Sequence, residues 1–84
     1  MIYEVKELYS NQNGVPRYYE SLDKANKRLW FRLEELRNNL DSPMVRYIKK
    51  EKLEYPVLES VIIHYLSDNK PEFIAIQVSE FELE

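Results

Sequence analysis

The chain reads as an α+β domain: a small antiparallel sheet in the order β-β-α-β-β-β, with one amphipathic helix packed on one face. Three observations point there. An alternating apolar segment opens the chain and runs into an Asn-Gly turn, a single stripe of leucines at helical spacing follows, and the second half carries β-branched runs separated by turn residues.

From Ile2 to Ser10, Tyr3, Val5 and Tyr9 share one strand parity, with Glu4 and Lys6 on the other. Asn11-Gln12-Asn13-Gly14 then holds the only glycine beside an asparagine, a hairpin signal because both residues tolerate positive φ. The returning strand is expected over Val15 to Tyr19, kept at a sheet edge by Pro16.

Ser21 suits an N-cap, with Asp23 in the first turn. From there Leu22, Ala25, Leu29, Leu33, Leu36 and Leu40 recur at spacings of three and four, predicting a helix over about Leu22 to Asn38. Asn38, Asn39 and Asp41-Ser42-Pro43 stop it, since the residue before proline avoids helical backbone.

Val45, Tyr47, Leu53, Tyr55, Val57, Val61, Ile63 and Tyr65 keep odd parity, which favours extended structure interrupted at Pro56. Leu58, Val61, Ile62, Tyr65 and Leu66 also fit helical spacing, so residues 58–66 admit both readings. The β-branched run Val61-Ile62-Ile63 and the turn-like Ser67-Asp68-Asn69-Lys70-Pro71 favour a hairpin. Its second strand, Glu72 to Val78, is apolar on both faces and therefore expected to be central. Beyond it, Phe81 and Leu83 suggest a bulge or a strand leaving the sheet.

With 84 residues and no linker or repeat, residues 1–84 form one domain with a modest core. The absence of cysteine removes disulfides, thiolate nucleophiles and cysteine-ligated metal sites. One glycine cannot build a phosphate-cradling loop. His64, the single histidine, lies between Ile63 and Tyr65 with no local ligand or orienting acid, and reads as a half-exposed strand residue. No enzyme activity, cofactor or metal is expected. Met1 leads into charged, amphipathic sequence and the longest apolar run is Val61-Ile62-Ile63, so neither a signal peptide nor a membrane span is expected and the chain is placed in the cytoplasm. A net charge of −3 with interspersed signs disfavours nucleic acid. Glu80, Glu82 and Glu84 lean acidic but are too few to imitate a phosphate backbone.

Two clusters remain. Advancing about 100° per residue, the leucine stripe leaves Phe31 almost opposite, among Lys24, Lys27, Arg28, Glu34, Glu35 and Asn38. An aromatic ringed by cations has the make-up of a protein-binding hot spot, and Lys24, Lys27, Arg28 and Arg32 crowd the helix half where the macrodipole disfavours them. Trp30 lies beside the stripe. The binding residues expected here are Lys24, Lys27, Arg28, Phe31 and Glu35; the bland reading is an incidental surface aromatic with solubilising charges. A secondary basic patch, Arg46, Lys49, Lys50 and Lys52, interleaves with Tyr47 and Ile48, and its bland reading is a charged edge strand that resists aggregation.

A strand, an Asn-Gly turn, Tyr18-Tyr19-Glu20-Ser21-Leu22-Asp23-Lys24-Ala25 opening an amphipathic helix, and a closing Phe81-Glu82-Leu83-Glu84 strand resemble, in outline, small phage and prophage accessory proteins of the anti-defence, anti-CRISPR-like type. The resemblance implies a non-enzymatic inhibitor acting by contact with a host defence nuclease or effector in the host cytoplasm. It assigns no residue. Three function classes follow: a protein-binding inhibitor or adaptor using the Phe31 face; a small-molecule or nucleotide-binding homo-oligomer with Arg17, Tyr18, Tyr19 and the Arg46 to Lys52 cluster of neighbouring subunits building a pocket; and a nucleic-acid-binding accessory protein using the same residues.

Overall fold

The computed structural model describes every residue except Asn11, Leu83 and Glu84. Its elements are β1 (Ile2–Tyr9), β2 (Arg17–Tyr19), α1 (Leu22–Asn39), β3 (Asp41–Ile48), a 3₁₀ turn over Lys50–Lys52, β4 (Val57–Ser67) and β5 (Lys70–Phe81). All neighbours pair antiparallel in one sheet of order β2-β1-β5-β4-β3. The expected β-β-α-β-β-β arrangement is therefore the fold, with β5 at its centre and α1 on one face. Residues 58–66 are strand, because the β-branched run fits the pleat and Val61 and Ile63 are fully buried on its inner side.

The helix forms where the stripe demands it. The Ser21 side chain accepts from the Lys24 backbone N–H at 3.2 Å, and Ala25, Leu29, Leu33 and Leu36 are buried. The Leu40 N–H closes the last turn on the Leu36 carbonyl, and the chain becomes extended at Leu40. These side chains pack on Val5 of β1, Ile74, Ile76 and Val78 of β5, and Val61 and Ile63 of β4, with Tyr3, Tyr9, Tyr19 and Tyr65 around the margin. The helix lies chiefly over β1, β5 and β2, leaving the β3 edge more open.

Three local expectations change. Positive φ occurs not at Asn13-Gly14 but at Asp68 (51°) and Asn69 (64°), which with the Ser67–Lys70 pair form a two-residue hairpin turn of the kind that requires it. Gly14 is instead needed for close approach: its N–H bonds the Glu7 carbonyl at 2.8 Å, and a Cβ there would stand 3.0 Å from that oxygen. The second strand is only Arg17–Tyr19, since Pro16 cannot donate and pairing begins at Arg17 opposite Val5. Finally, β5 stays in the sheet to Phe81, which pairs with Ile2; the bulge lies in β4, between Val57 and Glu59. Phe81 simply continues the outer row of a strand that is apolar on both sides, while Leu83 is outside the described residues.

β5 tolerates Pro71 because its pairing with β1 ends at Ile74, so Pro71 has a strand on one side only. Pro43 likewise sits on the edge strand β3, beside Ser42 with φ 51° and a register irregularity. No helix among the described residues is long and apolar enough to cross a membrane.

Candidate functional site

Helical geometry carries Phe31 away from the core, and the residue is 60% exposed. The Arg28 guanidinium lies 5.9 Å from the ring centroid, at the outer limit of cation–π range. Arg28 and Phe31 thus meet as expected. Lys24 is exposed near the capped end. Lys27 pairs with Asp23 at 3.1 Å, an exposed i,i+4 contact worth only a few tenths of a kcal/mol, roughly. Glu35 departs from expectation: it turns to the flank of α1, where it accepts from Arg32, rather than standing free beside Phe31. Glu34 sits 3.9 Å from Arg37.

Trp30 is the neighbour whose part the spacing understated. It is 49% exposed and stacks on Tyr47 of β3, with ring centroids 6.5 Å apart and planes at 27°. The stack braces the outer helix face against the sheet's open edge. Two large aromatics, Trp30 and Phe31, therefore stand side by side on the surface, each steadied by a separate partner.

Two carboxylates sit where the strand pattern reserves space for apolar side chains, and both hold cations. Glu59 is buried on β4; Tyr47 donates its hydroxyl to it at 2.6 Å and Lys50 approaches at 2.9 Å. The hydrogen bond to Glu59 holds both the Tyr47 phenol and the Lys50 ammonium above their ordinary pKa values. On β1, Glu7 accepts from Arg32 and from the Tyr9 hydroxyl. Burial alone would lower the Arg32 pKa, but hydrogen bonds to Glu7 and Glu35 outweigh it and hold the guanidinium charged. The sequence signal for both was available: an acid at core parity between Val5 and Tyr9, and another between Val57 and Val61.

The secondary basic patch does not stay together. Arg46, Lys49 and Lys52 line a groove of about 360 Å³ with Tyr47 and Ile48, whereas Lys50 is drawn to Glu59. The reason is that β3 ends at Ile48 and Lys50 opens the 3₁₀ turn, from which its ammonium reaches Glu59, while Arg46, opposite Ile62, stays on the sheet face away from the helix. Arg17 and Tyr19 lie on the helix side at the β2 edge, and Tyr18, opposite Glu4, on the far side. Within one chain β2 and β3 are the two outermost strands, about 19 Å apart at the usual strand spacing. Glu80 and Glu82 do not form one acidic face: Glu80 is half-buried beside Leu22 and Tyr55, Glu82 is exposed, and Glu84 is outside the described residues.

No element among the described residues covers the sheet face away from α1. Register aligns Leu8, Ala75, Ile62 and Arg46 in one row and Phe73, His64 and Met44 in the next. Phe73 is 38% and Met44 69% exposed. His64 is exposed between them, as a strand histidine without an acid partner should be, and no group of side chains able to hold a metal occurs among the described residues. Comparison with protein families, characterised proteins and solved structures finds no match to this chain.

Proposed function

We propose that this chain is a non-enzymatic protein-binding module that docks a partner on the outer face of α1, with Phe31 as the anchor and Arg28, Lys24 and Lys27 around it. One observation carries the reading: Trp30 and Phe31 are adjacent, large and exposed, Trp30 stacked on Tyr47 and Phe31 within cation–π reach of Arg28. A rigid exposed aromatic loses little entropy on binding, and a ring of cations excludes water while selecting an acidic surround on the partner. The likeness in outline to phage accessory proteins adds a partner class, a host defence nuclease or effector inhibited by contact.

Phe31→Ala combined with Arg28→Glu tests this. The variant keeps its fold and loses association with the partner in a pull-down; association at wild-type strength would refute the proposal. A second reading, a homo-oligomer, is favoured by the uncovered Phe73, Met44 and Ile62 face, which a second copy would close.

A further inference from the structure

We infer that the cleft between β2 and α1 is a binding site for a small oxyanion, a phosphate or carboxylate group of a soluble ligand. This goes beyond the protein-binding reading and does not depend on it. Arg17 reaches the cleft from β2, and Arg28 and Arg32 from successive turns of α1. Their convergence follows from topology, because Arg17 pairs with Val5 on the β1 side of the sheet that the helix covers, and residues four apart on a helix share a flank. Tyr9, Gly14 and Val15 complete an open, mainly polar cleft of about 470 Å³.

The three guanidiniums are not equivalent. Arg32 is committed: Glu7 and Glu35 each accept from it, and the Tyr9 hydroxyl fixes Glu7 from behind at 3.0 Å. Arg32 with these two carboxylates forms a hydrogen-bonded wall of net charge −1. Arg17 and Arg28 have no carboxylate partner among the described residues, and the Arg28 guanidinium lies over the Phe31 ring. The cleft thus sets three arginines against two glutamates and is net positive by one charge in a protein whose net charge is −3. Two guanidiniums without a carboxylate partner facing one cleft offer the planar donor geometry that binds phosphate or carboxylate bidentately. Arg32 offsets one of the two carboxylate charges of Glu7 and Glu35 and holds both side chains by hydrogen bonds, so with Arg17 and Arg28 the cleft stays net positive by one charge. Nor is this the basic groove at β3, which lies at the other end of the sheet.

The test is an NMR titration of the full chain, following the backbone amides and arginine Nε–H signals, with pyrophosphate in one arm and glutarate in another. Sodium chloride at matched ionic strength is the control, since screening alone moves exposed charges. The expected result is a saturable shift of Arg17, Arg28 and Gly14 with at least one probe, the tighter probe identifying phosphate or carboxylate as the natural group. Arg17→Ala and Arg28→Ala each weaken it by roughly tenfold, the loss of a charge-assisted contact, while Arg46→Ala leaves it unchanged. No saturable shift with either probe, a response matched by sodium chloride, a response unaltered in Arg17→Ala, or shifts confined to Arg46, Lys49 and Lys52 would each overturn the inference. Arg17 is exposed on a three-residue edge strand, so its replacement leaves the core untouched, and the amide spectrum verifies this.

Discussion

Leu29 and Phe31 are two residues apart on one helix, yet their truncation should have very different consequences. Leu29 is fully buried at the centre of the stripe. Leu29→Ala should therefore cost about 3–5 kcal/mol, the transfer free energy of the lost atoms plus the cavity left behind. Phe31 is 60% exposed, so about 80 Å² of its roughly 200 Å² is covered, worth at most about 2 kcal/mol at 25 cal/mol/Å². The unfolded chain covers part of that area as well, and alanine's better helix propensity returns about 0.5 kcal/mol. The net cost of Phe31→Ala is then about 1 kcal/mol. For a domain of 84 residues with total stability on the order of 4–13 kcal/mol, the first change threatens folding and the second does not. Urea unfolding followed by tryptophan fluorescence reads both. With a slope near 1 kcal/mol/M, the midpoint falls by about 3 M or more for Leu29→Ala and about 1 M for Phe31→Ala. Comparable losses for the two variants would mean that Phe31 is a folding residue, and the separation of core stripe from docking face would be wrong.

Gly14→Ala should destabilise by about 1 kcal/mol in the same assay, because the Glu7 carbonyl 3.0 Å from the new Cβ belongs to strand β1, paired with β5, and cannot retreat; a stabilised variant would refute that packing. Tyr47 should ionise above its ordinary value of 10.0 and return toward it in Glu59→Gln, followed by ultraviolet absorbance; an unchanged titration would place Tyr47 away from Glu59. Since Tyr47 and Lys50 are both raised in the folded state, the network's contribution is fully present below about pH 10 and is lost as pH rises through the raised values. If a second copy covers the open sheet face, Met44→Glu with Phe73→Glu should convert an associated species to monomer by light scattering, and an unchanged mass would exclude that face as the contact.

Much of the fold is written in local pattern. Residues Leu22 to Leu40 show one uninterrupted stripe with a capping serine before it and a proline shortly after, so helix and boundaries are nearly unambiguous. The two-sided apolarity of Glu72 to Val78 located the central strand for a sound reason: only a strand with two neighbours is spared polar alternation. What escaped was set by register. Nothing local tells that the β4 bulge falls between Val57 and Glu59, or that Asn13-Gly14 links β1 to β2 without positive φ, whereas the turn over Ser67 to Pro71 was legible and holds the tight Asp68-Asn69 pair. The site shows the same division. Exposure of Phe31 beside Arg28 follows from helical angle alone, whereas the stack of Trp30 on Tyr47 and the convergence of Arg17 with Arg28 need two elements to meet. Glu7 and Glu59 were legible as acids at core parity, each waiting for a cation that only the tertiary structure supplies.

The outer face of α1 is most directly tested by site-specific photo-crosslinking in cells of the source organism. A benzophenone side chain is placed at Lys27, beside Phe31, and separately at His64, in the middle of the open sheet face. The account predicts a covalent adduct of one defined mass from position 27 that disappears when Phe31→Ala and Arg28→Glu are added, and no such adduct from position 64. An adduct from position 64 alone, or one from position 27 that survives both substitutions, would contradict it.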